Sequence, residues 1–211
     1  EDKIPEYSIV GQKPLEWDGP PVADPITEDN DPYLVRSGIY DLWATEDFEE
    51  YKEDFRQGAR TAQLEGYSGF DPDGETGYEY GKEIVAGAAA SEPTEDVLYR
   101  GIRVKPKDMP TFEVGDTVSM PLSSFSLDAT EAGDHATGES GWQSRDVPTD
   151  GKGIVFELEP GAKTYKMYTG NDERIGFGQF EVLGVTRYSD DGTTYVSVRQ
   201  TSMIESEETY G

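Results

Sequence analysis

The stretch GQFEVLGVTRYSDDGTTYVSVRQ, residues 178–200, decides the fold class of this chain. Apolar and polar residues alternate on both sides of the turn sequence SDDG, and β-branched and aromatic residues are frequent, as in strands that bury one face. The Asp191-Gly192 pair between two such runs is a strong signal for a β-hairpin. The sequence therefore predicts two antiparallel strands here.

An amide and a carboxylate share one face of the first of these strands. Alternation points Phe180 and Val182 to one side and Gln179 and Glu181 to the other. A solvent-facing sheet edge accounts for most polar strand positions. The alternative is a pair of catalytic side chains on the wall of a cleft, and the rest of the sequence bears on the choice.

More strands precede the hairpin. A turn, a short strand and a Ser-rich segment are predicted in PTFEVGDTVSMPLSSFSLD, residues 110–128. A long polar, Gly-rich loop is predicted between residues 129 and 152, with His135 as a solvated loop residue. The remaining predicted strands are DVLYRGIRV (96–104), GIVFELE (153–159) and TYKMY (164–168).

Helices come before the strands. One helix is predicted where apolar residues recur at helical spacing after Thr45, a candidate N-cap; they are Phe48, Tyr51, Phe55, Ala59 and Ala62. A second is predicted in YEYGKEIVAGAAAS, residues 78–91, ended by Pro93. The loop between them, residues 66–77, lacks the ligand order of an EF-hand, so a turn is preferred over a calcium site. Helices followed by strands indicate an α+β fold.

The first 31 residues are rich in proline and acidic side chains and predict an arm or linker without a core of its own. Residues 32–211 then form the folded domain. The chain begins with glutamate, which suggests a processed or excised piece of a longer protein.

Composition restricts the classes of function. The 44 acidic residues outnumber 18 basic ones, for a formal charge of −26, so binding to duplex nucleic acid is not expected. This acidity is similar to that of proteins from high-salt environments. The absence of cysteine excludes disulfides and thiolate chemistry, and one histidine cannot build a multi-histidine metal site. No apolar run reaches membrane-spanning length.

Three features of the β-rich half occur in a specific order. Arg100 ends an apolar strand in LYRGI, Ser124 and Ser126 lie in SSFSLD, and Gln179 and Glu181 lie in GQFEVLG. Singly, these features are common surface residues and turns. As an ordered set over about residues 96–200, they resemble the Arg/Ser-Thr-Ser/Glu-x-Glu signature of mono-ADP-ribosyltransferases of the arginine-serine-glutamate class.

The resemblance implies a helical lead-in and a two-sheet β core that encloses a cleft for NAD, the substrate, with no metal. Arg100 would hold the pyrophosphate through a bidentate fork, and Glu181 would stabilise the oxocarbenium-like ribosyl cation. Ser124 would orient that carboxylate, with Ser126 nearby. Gly101 would let the backbone approach the nicotinamide amide.

The resemblance also implies how the acceptor is recognised. Gln179 stands where many family members have glutamate, and the Gln-x-Glu form is similar to that of C3-like exoenzymes and guanine-modifying pierisin-like enzymes. The acceptor would then be an Asn, Gln or Arg side chain or a guanine nucleotide, contacted by Gln179 and by Phe177 in the loop 169–178. Trp142, in the long loop, would stack on nicotinamide, unless it is a buried structural residue.

Similar domains occur in bacterial toxins and in tailed-virus proteins. The resemblance therefore implies an effector delivered into host cytoplasm or a virion-associated protein, with residues 1–31 attaching to virion proteins. Two alternatives stay open: a virion structural protein that keeps the fold with little or no activity, and a plain β-rich binding module. Gln179 has a structural alternative too, as a brace for the loop 171–178.

Overall fold

A computed structural model describes residues 15–44, 48–138, 150–167 and 173–207, excepting the side chains of Arg187 and Tyr188. In these ranges three α-helices precede the strands along the chain, a fourth follows the second strand, and the fold class is α+β, as the sequence predicts. None of the helices in these ranges is long and apolar enough to cross a bilayer.

Both predicted helices are confirmed. The buried face of the first contains Phe55, Ala59 and Ala62, the residues whose spacing predicted it. Two helices were not predicted: a short one ahead of the first predicted helix and another inside the predicted long loop. In chain order the helices are α1 (Val35–Trp43), α2 (Phe48–Glu65), α3 (Thr76–Ala90) and α4 (Ala129–Thr137).

The predicted strands are also confirmed, with two changes of length. The Ser-rich segment belongs to a ten-residue strand, and the first hairpin strand begins at Glu173, within the segment 169–178 predicted as a loop. The strands are β1 (Leu98–Val104), β2 (Thr117–Ser126), β3 (Lys152–Leu158), β4 (Tyr165–Lys166), β5 (Glu173–Tyr188) and β6 (Thr194–Ser202).

The strands form one hydrogen-bonded sheet that folds back on itself. Its order is β2-β1-β3-β6-β5-β4, and β2 also pairs with β5. The long strand β5 therefore belongs to both halves: its first part pairs with β2 and β4, and its second part pairs with β6. Because β1 and β2 share a single residue pair, Tyr99 with Ser126, the sheet is almost open between them.

Two hydrophobic cores hold the layers together. One lies inside the folded sheet and includes Phe125, Phe156 and Phe180. The other lies between the sheet and the helices α1–α3 and includes Phe55 and Phe177. The β2–β5 half of the sheet is thus fixed from both sides.

Helix α4 covers the outer face of the other half, where the sequence predicted a loop. The Asp128 side chain accepts a hydrogen bond from the backbone N–H of Thr130 and caps its first turn (2.8 Å). Ala132 and Ala136 bury their small side chains against β1 and β3. The close approach requires glycine on the strands, at Gly101 and Gly153, while Gly138 ends the helix in a left-handed conformation. His135 lies on this helix and not in a loop.

The first described residues pack against the helical layer. Val22 forms an isolated parallel β-bridge with Tyr67. The backbone N–H of Ile26 donates a hydrogen bond to the carboxylate of Glu83 (2.5 Å). The other Glu83 oxygen accepts a hydrogen bond from the Tyr67 hydroxyl (2.6 Å). Glu83 is 1% exposed, and its burial raises its pKa. The predicted arm therefore includes a segment that is hydrogen-bonded to the domain.

Two buried tyrosines provide a matched test of these contacts. The Tyr165 hydroxyl has no hydrogen-bond partner among the described residues, whereas that of Tyr67 donates to Glu83. We expect Tyr165→Phe to maintain or raise the melting temperature at neutral pH, because it removes an unsatisfied buried hydroxyl. We expect Tyr67→Phe to cost about 1–3 kcal/mol of the free energy of unfolding, because it removes the donor to one of the two oxygens of the buried Glu83 carboxylate.

The raised pKa values of Tyr67 and Tyr165 predict that the protein loses stability at alkaline pH. Burial raises the pKa of Tyr165 from 10.0 to about 12 and raises that of Tyr67 as well. The folded state therefore holds these protons more tightly, and the stabilisation, complete below pH 10, is lost as pH rises towards about 12. Melting temperatures should fall steeply above about pH 10, and less steeply in Tyr165→Phe. Equal destabilisation by both substitutions at neutral pH would contradict this account.

Candidate active site

A partly buried arginine lies where β1 and β2 separate. Arg100, on β1, donates from Nη1 to the carbonyl oxygen of Ser124 on β2 (3.3 Å). From the helical layer, Arg56 of α2 donates from Nη2 to the carbonyl of Leu122 on the same strand (3.3 Å). Two guanidinium groups from different layers thus bind neighbouring carbonyls of β2.

Acidic groups compensate the charge of Arg56 in part, whereas none in the described part of the chain acts on Arg100. Burial, and then the positive charge of Arg56, lowers the pKa of Arg100 to about 10. Burial also lowers the pKa of Arg56, against the opposing effect of Glu205 and Glu53. Among the described residues Arg100 has no carboxylate partner, and Arg56 Nε has no hydrogen-bond acceptor. Two partly desolvated cations in this arrangement favour an anion from outside the chain.

A glutamate is bound to the hydroxyl of Ser124. The Ser124 Oγ donates to Oε1 of Glu173 (2.6 Å). The indole Nε1 of Trp43 donates to the Ser124 Oγ (2.9 Å) and to the same Glu173 oxygen (3.2 Å). The three side chains form a closed triangle of hydrogen bonds at the start of β5.

Each member of this triangle comes from a different element. Ser124 lies on β2 and pairs with Ile175, whereas Glu173, the first residue of β5, pairs with Ser126 and is the diagonal neighbour of Ser124 on the same face. Trp43 ends α1 and is 4% exposed, with its ring packed edge-on against Phe55 (centroids 5.4 Å apart). The site therefore depends on contact between the helical layer and the sheet.

The structure does not bring Gln179 and Glu181 to this cluster. On β5 they lie opposite Ser119 and Thr117, and Glu181 comes eight residues after Glu173, roughly 25 Å along an extended strand. Glu181 instead forms an ion pair with Arg199 (2.6 Å). Gln179 donates to the carbonyl of Ile204 (2.9 Å), so its amide braces the C-terminal segment and not the loop 171–178.

Gly101 and Ser126 have structural partners. A Cβ at Gly101 would overlap the carbonyl oxygen of Ala132, so this glycine permits the close packing of α4 on β1. The Ser126 hydroxyl donates to Glu131 (2.8 Å) and accepts from the backbone N–H of Asp128 (3.0 Å), within the start of α4.

The two predicted aromatic contacts have different outcomes. Phe177 is fully buried in the helix-facing core and has no exposed surface with which to contact an acceptor. Trp142 lies outside the described residues, as does the segment 168–172 before β5. Within the described ranges, no group of three or more His, Cys, Asp or Glu side chains could hold a metal ion.

Sequence reasoning missed Glu173, Trp43 and Arg56. A signal for Glu173 existed, because Ile175 and Phe177 follow it at alternate positions and place it on the face that meets the helices. No local pattern marks Trp43 or Arg56, since both lie on amphipathic helices where an aromatic or basic residue is ordinary.

Comparisons with known proteins identify similar structures only. No family model and no curated protein sequence matches the chain. Solved structures similar to it include the Vis toxin, an ADP-ribosyltransferase from Vibrio splendidus (15% identity, TM-score 0.48, covering 89% of this chain and 92% of that one). Others are exoenzyme S from Pseudomonas aeruginosa, in complex with human 14-3-3 protein beta and bound to carba-NAD (14%, 0.48, 84% and 79%), and an ADP-ribosyltransferase from Clostridium botulinum (12%, 0.48, 80% and 86%). A likeness of this strength carries no argument about activity, which rests on the residues themselves.

Two glycine substitutions test the role of Gly101. We expect Gly101→Ala to lower the free energy of unfolding by about 2 kcal/mol or more, because the new methyl group would displace α4. At Gly184 an added Cβ would have no atom within 4 Å, so Gly184→Ala serves as the control and should be near neutral. Urea denaturation measures both. Similar midpoints for the two variants would show that α4 does not constrain Gly101.

Proposed function

We propose that this chain is an NAD-dependent ADP-ribosyltransferase whose site contains Arg100, Ser124 and Glu173. The observation that carries the proposal is the hydrogen bond from Ser124 to Glu173, because the backbone carbonyl of the same serine accepts from Arg100, a partly buried arginine without a carboxylate partner among the described residues. A carboxylate and a separate guanidinium, each hydrogen-bonded to Ser124, suit a dinucleotide that is anionic at its pyrophosphate and becomes cationic at its ribose. The arginine and serine positions are those of the signature in LYRGI and SSFSLD.

Arg100 and Arg56 supply the charge for the pyrophosphate. An arginine fork holds two phosphate oxygens at once, and its strength increases where water is excluded. The chain carries a formal charge of −26, so an anionic substrate needs a local cationic site to overcome the general repulsion. The arginine pair provides that site.

Glu173 supplies the charge for the reacting carbon. The bond between ribose C1′ and the nicotinamide nitrogen breaks, and its electron pair leaves on nicotinamide, which becomes neutral. The ribosyl cation that remains is stabilised by the Glu173 carboxylate. Water or an acceptor side chain then donates a lone pair to C1′ and loses a proton to solvent.

The acceptor in this proposal is a protein side chain. Net charge disfavours duplex nucleic acid and favours proteins with basic surfaces. A delivered effector with a host target is the role that fits such an activity. Incubation with labelled NAD and a cell lysate, followed by mass spectrometry, identifies the modified residue and distinguishes an Asn, Gln or Arg side chain from a guanine nucleotide.

Two glutamine substitutions test the assignment of the carboxylate. We expect Glu173→Gln to lower NAD hydrolysis about 100-fold or more, because it removes the charge that faces the ribosyl cation. Glu181→Gln should retain most of the activity, since Glu181 is paired with Arg199 further along the strand. Nicotinamide release measures both. The reverse pattern would return the catalytic role to Glu181, and no release by the unmodified chain would reject the proposed function.

A lysine substitution tests phosphate binding. Arg100→Lys keeps the charge but loses the planar fork, so we expect the Kd for NAD to rise about 10-fold, in keeping with the loss of a charge-assisted bond. Arg199→Lys, which alters the arginine paired with Glu181, is the matched control. Calorimetric titration measures the affinities, and equal values for both variants and the unmodified chain would remove Arg100 from the site.

A further inference from the structure

We infer that Trp43 is a positioning residue, which fixes the Glu173 carboxylate through its indole N–H. The inference deepens the proposed function and rests on it for its catalytic consequence, although the contact itself is independent of NAD. Trp43 is outside the three motifs of the signature and lies on the helical layer, whereas Glu173 and Ser124 lie in the sheet.

The indole N–H is shared between two acceptors that are themselves hydrogen-bonded. Trp43 Nε1 lies 2.9 Å from Ser124 Oγ and 3.2 Å from Glu173 Oε1, and Ser124 Oγ lies 2.6 Å from the same Oε1. An indole N–H can only donate, so it directs the serine hydroxyl, which can rotate, to give its own proton to the carboxylate. Trp43 thereby fixes both the direction of the serine O–H and the position of Oε1.

These hydrogen bonds favour the charged form of the carboxylate. Two donors on one oxygen stabilise the anion relative to the protonated acid. The proposed chemistry needs that anion at neutral pH, aimed at the ribose in a fixed direction. Removing the indole N–H should therefore lower catalysis and extend the protonated form to higher pH.

Packing holds the indole in place independently of its N–H. The Trp43 ring lies 4.6 Å from the ring of Phe48 and 5.4 Å from that of Phe55, measured between centroids. Both partners belong to α2, which also carries Arg56. A shift of α1 against α2 would consequently move the donor of Glu173, while phenylalanine at position 43 retains an aromatic ring in this cluster.

The kinetic test compares two tryptophan substitutions. Trp43→Phe removes the N–H at the site, and Trp17→Phe is the matched control, because Trp17 donates to the carbonyl of Pro20 in the N-terminal segment (2.8 Å). We expect Trp43→Phe to lower kcat for NAD hydrolysis about 10-fold with little change in KM, and to move the acidic limb of the pH–rate profile to higher pH. Trp17→Phe should change neither quantity.

An NMR measurement tests the contact without reference to turnover. The chain has three tryptophans, and the Trp43 indole ¹H–¹⁵N signal is identified by its loss in Trp43→Phe. In the unmodified chain it should shift as the pH falls and Glu173 is protonated. In Glu173→Gln the shift should be absent, because the amide does not titrate.

The outcomes separate the inference from the proposed function. A pH-dependent Trp43 signal that disappears in Glu173→Gln supports the contact even if the chain releases no nicotinamide, which would reject the proposed function alone. A signal that does not respond to Glu173 overturns the inference. An unchanged kcat and pH profile in Trp43→Phe, with activity lost in Glu173→Gln, overturns the positioning role and leaves the proposed function intact.

Discussion

The hydrogen bond between Ser124 and Glu173 is the contact on which the arrangement of the site depends. It joins the end of β2 to the start of β5, on the face of the sheet that packs against the helical layer. The indole of Trp43 completes it from the last turn of α1. A carboxylate in this position is directed by donors from two layers, so its orientation follows from the docking of helices on the sheet and not from β5 alone.

Two positive side chains, Arg56 and Arg100, lie near this contact although the chain as a whole is strongly acidic. Acidic residues outnumber basic ones by 44 to 18, yet the positive charge of Arg56 adds to the larger effect of burial in lowering the pKa of Arg100. Two partly buried cations repel each other, and removing them from water costs further free energy. An anion bound by both guanidinium groups would offset both costs. The unfavourable electrostatics of the two arginines therefore favour an anion over a cation in the proposed site.

Strand β5 contains both candidate carboxylates, Glu173 and Glu181, and places them in different parts of the sheet. Its first part meets the helices and its second part pairs with β6. Between them lies Gly178, with a φ of +110°, a backbone conformation that favours glycine, and a Cβ there would overlap the carbonyl oxygen of Ser202. Glu173 and Glu181 are thus on one strand but in different surroundings, one bound to a serine and the other to an arginine.

The sequence by itself determined the α+β class, the helices α2 and α3, and most strands, including those that carry Arg100 and Ser124, because these depend on local periodicity. It did not determine α4, since glycine and small residues suit both a loop and a helix packed tightly on a sheet. It also did not identify the carboxylate that accompanies Ser124. The motif GQFEVLG and the segment beginning at Glu173 both form strand, and only the register of β5 against β2 places Glu173, not Glu181, beside Ser124. Trp43 and Arg56 belong to the site only through the packing of α1 and α2 on the sheet, a contact between residues distant in sequence that no local pattern encodes.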